Sequence, residues 1–282
     1  MKSKRKIDPN KPKIKLPSGK SYISVKNIVA EHKLHTICES GNCPNTQECW
    51  GAGTATFMIL GDICTRSCKF CSVKTGKPLL PDEQEPLRIA NSVKLMKLKH
   101  CVVTSVDRDD LEDGGAEFWA TTIKKIKEIN PYTTLETLIP DFKGEKDLLK
   151  IVIDAKPEII SHNLETVRRL SDSIRVNAKY DRSLSVLKFI GESGLRSKSG
   201  IMLGLGESDD EIFDVMDDLL NVGCKIITIG QYLQPTIDNI PVQRYVSEKE
   251  FKMYEEVALK KGFNFVESGA LVRSSYHADK HV

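Results

Sequence analysis

Long apolar runs are missing from this 282-residue chain; none approaches the length that crosses a bilayer. Aromatic residues are scarce at 6%, and no concentrated basic face interleaved with them stands out. A membrane and a nucleic acid are therefore both discounted as partners. The start, MKSKRKIDPNKPKIKLPSGK, lacks the apolar segment of a secretory signal, and it is too poor in arginine for a transit peptide. A solvated basic tail is expected over residues 1–19, and it holds much of the excess behind a net charge of +3. Eight cysteines without a signal point to a reducing compartment, where thiols serve metals or redox chemistry rather than crosslinks. The expected location is the cytoplasm, or an organelle if the host is eukaryotic.

Alternation is what the chain has instead. TATFMIL (55–61), CVVTSV (101–106), TTLETLI (133–139), EIIS (158–161), SGIMLGL (199–205) and KIITIG (225–230) read as strands. Helical stretches separate them. Ser208 and Glu211 make a capping box ahead of an apolar stripe of Ile212, Phe213, Met216, Leu219 and Leu220, with Gly223 as a stop. Ser247 and Glu250 repeat the box, ended by Gly262, and Trp119, Ile123 and Ile126 stripe a third helix that stops before Pro131. Alternating strands and helices imply parallel βα units. Six are too few for a closed eightfold barrel. The expected fold is α/β: a partial (β/α)6 barrel of parallel strands, with N- and C-terminal extensions covering the mouth. The expected divisions are the tail at 1–19, an N-terminal extension at 20–54, the partial barrel at 55–262 and a C-terminal extension at 263–282. Residues 20–54 show no sustained periodicity.

Three cysteines crowd CTRSCKFC: Cys64, Cys68 and Cys71. They follow the first strand at its carboxyl end, where such folds gather their chemistry. An odd number excludes a closed set of disulfides and falls one short of a saturated tetrahedral site. The C-x3-C-x2-C spacing suits a cubane iron–sulfur cluster with one iron left open. Zinc is the alternative, but structural zinc takes four ligands, and no CxxC partner or paired histidine follows. An electron carrier of the ferredoxin type would add a fourth cysteine. A second triad, Cys38, Cys43 and Cys49 in C-x4-C-x5-C, is also one ligand short. Cys101 and Cys224 lie in or beside strand-like runs and are expected to be buried, inert thiols.

The Cys64–Cys71 loop, C-x3-C-x-Φ-C with Phe70 at Φ, resembles the radical S-adenosylmethionine superfamily. The two triads together with RSSYHAD (273–279) resemble the lipoyl synthase family within it. So do the blocks CVVTSVDRDDLEDGGAEFWATTIKKIK, LETLIPDFKG, SHNLETVRRL, KSGIMLGLGE and TIGQYLQPT, in the same order; a small departure is Ser268 and Ala270 where a Gly-Pro pair is expected. The resemblance implies two [4Fe–4S] clusters and S-adenosylmethionine. Cys64, Cys68 and Cys71 would hold the cluster whose open iron chelates the cofactor. Cys38, Cys43, Cys49 and the oxygen of Ser275 would hold an auxiliary cluster. It implies insertion of two sulfur atoms, at C6 and C8, into an octanoyl chain on a lysine of an acceptor protein. Two S-adenosylmethionine molecules would be used and the auxiliary cluster sacrificed as the sulfur donor. Implied partners are octanoylated lipoyl domains of 2-oxoacid dehydrogenases, the glycine-cleavage H protein, and a low-potential electron donor of flavodoxin or ferredoxin type.

Implied cofactor contacts are Phe70 at the adenine, Thr104 and Ser105 at the methionine amino group, and Asn163 and Glu165 at ribose or carboxylate. Gly204 would permit close backbone approach. The five carboxylates of DRDDLEDGG (107–115) are expected in salt bridges and helix caps rather than in acid–base chemistry. Arg273 is a candidate to position or displace Ser275. His35 and His277 are expected to hydrogen-bond near the cluster ligands rather than bind iron. Other readings are a different radical sulfur transferase, such as one like biotin synthase, a non-catalytic iron–sulfur carrier, or a zinc-binding module.

Overall fold

The computed structural model describes residues 8–13, 20–32, 34–40, 43–51 and 54–282. Residues 1–7 and 14–19 of the expected tail lie outside the described residues. The strands in chain order are β1 (His35–Thr36), β2 (Thr54–Ile59), β3 (Ile63–Cys64), β4 (Lys74–Thr75) and β5 (His100–Ser105). Then come β6 (Thr134–Leu138), β7 (Ile159–Ser161), β8 (Arg196–Leu203), β9 (Ile226–Gln231) and β10 (Phe265–Gly269). Eight of them form one sheet in the order β1-β2-β5-β6-β7-β8-β9-β10. From β2 to β10 every neighbour is parallel. Only β1 is antiparallel, pairing His35 with Met58. The end strands β1 and β10 are not bonded to each other, so the barrel is open.

All six expected strands are present. The sheet gains a seventh parallel strand, β10, from the C-terminal extension. FVESG escaped because it is half-buried throughout and mixes polar with apolar residues, which leaves no alternation to read. The segment 20–54 is also more regular than expected. It contains the helix Lys20–Glu31 and two short ones, Ile37–Ser40 and Thr46–Gly51.

Helices cover the outer face as their stripes require. Trp119, Ile123 and Ile126 are fully buried on the helix Ala116–Ile129. Ile212, Met216 and Leu219 are buried on Asp209–Asn221, while Phe213 and Leu220 pack at its margin. Both capping boxes close, Ser208 with Glu211 and Ser247 with Glu250. Replacing Ser247 by Ala should cost about 1 kcal/mol, read from the midpoint of urea unfolding.

The C-terminal extension does more than cover the mouth. Near the carboxyl end of β9 a Cβ on Gly230 would lie 2.3 Å from the Val272 carbonyl oxygen. The chain then runs back to the amino ends of β8 and β10. There Arg196 donates to the His281 carbonyl at 2.9 Å, and the His281 ring lies 5.6 Å from that of Phe265. Inside the sheet, Lys198 and Glu136 form an ion pair at 2.9 Å, both essentially without exposure, and Ser161 donates to the same carboxylate at 2.6 Å.

Candidate active site

After β2 the chain turns through Leu60 and Gly61, both at positive φ. The segment that follows is closed at its base where Cys64 pairs with Thr75. Arg66 is its anchor. This buried guanidinium donates to Asp109 at 2.7 Å and Asp141 at 2.8 Å, and lies 3.3 Å from Asp107. Burial opposes ionisation of Asp141, yet Arg66 holds its carboxyl down to about 2. On the other side Asn239 donates to the carbonyls of Lys69 and Cys71 at 3.1 and 2.9 Å. The sulfurs are met by main-chain donors. Cys64 Sγ accepts from Arg66 N at 3.4 Å and Asp107 N at 3.3 Å, and Cys71 Sγ accepts from Val73 N at 3.4 Å. Such N–H···S bonds help to set the potential of an iron–sulfur cluster.

Cys64, Cys68 and Cys71 face a cavity of about 320 Å³ at the carboxyl ends of the strands. Phe70, Thr104, Ser105, Asn163 and Glu165 line it too. Thr104 donates to the Leu138 carbonyl at 3.2 Å, whereas the buried Ser105 hydroxyl has no partner among the described residues. Glu165 takes a positive φ of 65°, and burial raises its carboxyl, partly opposed by Arg175. Gly204 is not among the lining residues. A Cβ there would lie 2.3 Å from Gln231 Nε2 and 2.4 Å from the Arg244 carbonyl oxygen. A close approach at Gly204 is thus made by its own chain. With φ at 93° as well, Gly204→Ala should destabilise by about 2–4 kcal/mol, read as a fall in the urea midpoint.

A second cavity, of about 160 Å³, is lined by Cys38, Cys43 and Cys49 and by Ser275 from the far end of the chain. Asn45 donates to the Leu271 carbonyl at 2.6 Å, and Tyr276 donates to Glu48 at 3.2 Å. These bonds join the two extensions. Ser72, just past the first triad, donates to the Ser40 carbonyl at 2.8 Å and so ties the two cysteine segments together. The two cavities abut: Ile37, Thr104, Leu138, Arg273 and Ser274 line both.

All eight cysteines are free. Burial pushes the thiols of Cys38 and Cys49 up to about 12, and the Cys43 thiolate adds to both. In the other triad burial raises Cys64 to about 11 and Cys68 to about 12, with Asp107 the next cause in each. Sulfurs that desolvate and repel one another are a donor set that a positive metal centre relieves. Among the described residues no three His, Cys, Asp or Glu side chains surround a point suited to one metal ion. Cys101 and Cys224 are fully buried, as expected, and line neither cavity.

Three carboxylates of the acidic stretch have structural partners, while Asp107, 3.3 Å from Arg66, also lines the cavity of Cys64, Cys68 and Cys71. Asp109 pairs with Arg66, Asp110 with Arg108 at 2.9 Å, and Asp113 caps the helix Ala116–Ile129 by accepting from Gly115 N and Glu117 N. Arg273 is half-buried, and its guanidinium donates to the carbonyls of Val272 at 2.7 Å and Gln231 at 3.3 Å rather than to Ser275. His277 pairs with Glu267 at 3.2 Å and stacks on Tyr276, whereas His35 lies on a groove outside both cavities. Residues that sequence reasoning missed include Arg66, Arg175 and Ser274. Arg66 carried a signal, an arginine enclosed between cysteines of one loop; Ser274 carried none beyond its place before Ser275.

A model of the radical SAM superfamily matches residues 58–219. The lipoyl synthase of Phocaeicola vulgatus is 60% identical over 270 residues, covering 96% of this chain and 95% of its own length. The mitochondrial lipoyl synthase of Nematostella vectensis is 55% identical over 279 residues, covering 99% and 96%. Among solved structures, the FeFe-hydrogenase maturase HydG of Carboxydothermus hydrogenoformans superposes with a TM-score of 0.64 at 12% identity, over 88% of this chain and 57% of its own. Methylornithine synthase gives 0.58 at 13%, over 92% and 81%. At such identities these two speak for the fold alone.

Proposed function

This chain belongs to the lipoyl synthase family of the radical S-adenosylmethionine superfamily, and from that premise we propose how its residues divide the reaction. The activity is the insertion of two sulfur atoms, at C6 and C8, into a protein-bound octanoyl-lysine. When bound, one [4Fe–4S] cluster with S-adenosylmethionine supplies hydrogen abstraction, and an auxiliary [4Fe–4S] cluster supplies the sulfur.

Cys64, Cys68 and Cys71 would hold the first cluster, with S-adenosylmethionine in the cavity they face. Phe70 lies against the adenine, Thr104 and Ser105 receive the methionine amino group, and Asn163 and Glu165 take ribose or carboxylate. Ser105 suits this role because its buried hydroxyl is otherwise unsatisfied. Cys38, Cys43, Cys49 and Ser275 hold the auxiliary cluster. A hydroxyl oxygen is a poorer ligand for iron than a thiolate, which suits a group that must be let go. Ile37 and Leu138 give the shared wall, which also carries Thr104, Arg273 and Ser274, an apolar strip along which an alkyl chain would meet both sites.

The observation that carries this division is that Ser275 and the Cys38–Cys43–Cys49 triad line one cavity, which abuts the cavity of the other triad. Iron analysis tests it. Chains with either triad replaced by alanine should each bind half the wild-type iron, and only the chain retaining Cys64, Cys68 and Cys71 should cleave S-adenosylmethionine. Full iron content after removal of a triad would contradict the assignment. The acceptors are octanoylated lipoyl domains; the glycine-cleavage H protein and a flavodoxin- or ferredoxin-type electron donor complete the proposed partners. No helix among the described residues is long and apolar enough to cross a membrane. The proposed compartment is the cytoplasm, or the organelle in a eukaryotic host. Identity to lipoyl synthases across nearly the whole chain leaves the carrier and biotin-synthase-like readings unfavoured.

A further inference from the structure

Asn163 lines the cavity of Cys64, Cys68 and Cys71, and both its amide hydrogens are engaged. Its Nδ2 donates to Glu165 Oε1 at 3.0 Å and to Ser274 Oγ at 2.7 Å. Its Oδ1 sits beside β8, 3.1 Å from where a Cβ on Gly200 would stand, and Asn163, Gly200 and Ser274 line a small cavity of about 60 Å³ that leaves the amide room to turn. Ser274 is one of the residues that line both cavities, and it is bonded through the chain to Ser275. Next to it Val272 is pressed onto Gly230, so the segment 272–275 rests on β9 on one side and on Asn163 on the other.

We propose that the Asn163–Ser274 hydrogen bond is a positioning contact through which occupation of the S-adenosylmethionine cavity loosens the segment that carries Ser275. An amide has two hydrogens and both are spent. A cofactor polar group that takes one of them, or that draws Glu165 round and turns the amide with it, does so at the expense of a bond already made. The bond to Ser274 is the one whose loss is felt in the other cavity. The auxiliary cluster is thereby held firmly while the first cavity is empty and becomes easier to dismantle once the cofactor has arrived. Ser274 is thus a positioning residue, acting through its neighbour. The inference rests on the ligand and cofactor assignments proposed above.

The test is the rate at which a chelator removes iron from the auxiliary cluster. It uses full-length protein carrying both clusters, anaerobically, with neither reductant nor acceptor, so that nothing turns over. Iron loss from chains lacking Cys64, Cys68 and Cys71 identifies the auxiliary phase. Saturating S-adenosylmethionine should speed that phase about fivefold in the wild type, the factor expected when one ordinary hydrogen bond is lost. Ser274→Ala should release iron at the faster rate with or without the cofactor, and Ser274→Thr, which keeps the hydroxyl, should restore the response. A wild-type rate indifferent to S-adenosylmethionine would overturn the proposal, even if Ser274→Ala failed to assemble its clusters. So would a Ser274→Ala chain that responds as the wild type does. Ser275→Ala separates the two layers of the argument. If its auxiliary phase equals that of the wild type, the ligand assignment itself has failed, and the contact with it.

Discussion

Protein carrying Ser275→Ala should continue to release 5′-deoxyadenosine while sulfur insertion falls by about 100-fold or more. Even changes to groups that merely orient a metal ligand cost up to about 100-fold, and here the ligand itself is removed. The first cavity is untouched by the change, because Ser275 lines only the cavity of Cys38, Cys43 and Cys49. Cleavage of S-adenosylmethionine therefore runs on without its sulfur donor. Both products are read in one sample, 5′-deoxyadenosine by chromatography and the octanoyl-lysine peptide by mass. Ser275→Cys sharpens the point: a thiolate should hold the cluster more firmly, so iron content stays at the wild-type level while sulfur insertion slows. Undiminished sulfur insertion by Ser275→Ala would remove the serine from the site.

Arg66→Ala has the largest expected effect on stability. The guanidinium is buried and meets Asp107, Asp109 and Asp141, the last without exposure. Removing one partner from a buried ion pair costs about 3–5 kcal/mol; here Asp107 and Asp109 lose their guanidinium and the buried Asp141 keeps only Arg182 at 3.1 Å. The loss falls on the loop that carries Cys64, Cys68 and Cys71, so the apoprotein should unfold at lower urea and the first cluster should fail to assemble. Arg66→Lys should recover little, since a single ammonium does not span three carboxylates as a planar fork does. A fall of less than about 1 kcal/mol, the range of exposed pairs, would show that Arg66 is not the anchor described.

Much of the fold is written locally. The six strands appear because β-branched runs break against turn residues, and both capping boxes because four residues suffice to specify each. Lys20–Glu31 and β10 were not legible, the first for want of a clear stripe and the second because every residue of FVESG is half-buried. The Lys198–Glu136 pair was hidden for another reason: a charged residue in a strand reads as solvent-facing until the partner that neutralises it inside the barrel is known. The site divides the same way. Each cysteine triad is compact in sequence and announces a metal. Ser275 has no local pattern that marks it as a ligand, and it was reached only through the family resemblance of RSSYHAD. Ser274 and Arg66 act through contacts that folding creates, with Asn163 in one case and three distant aspartates in the other. Gly204 was legible as a point of close approach, and its neighbours there are Gln231 and the Arg244 carbonyl.

The most direct test of the account is mass spectrometry of an octanoyl-lysine peptide. It would be incubated anaerobically with cluster-loaded protein, S-adenosylmethionine and a strong reductant, with 5′-deoxyadenosine followed in parallel. The account predicts a gain of two sulfur atoms that stops near one turnover per chain, because the donor cluster is consumed. Protein shown to hold both clusters that yields neither sulfur insertion nor 5′-deoxyadenosine would contradict it.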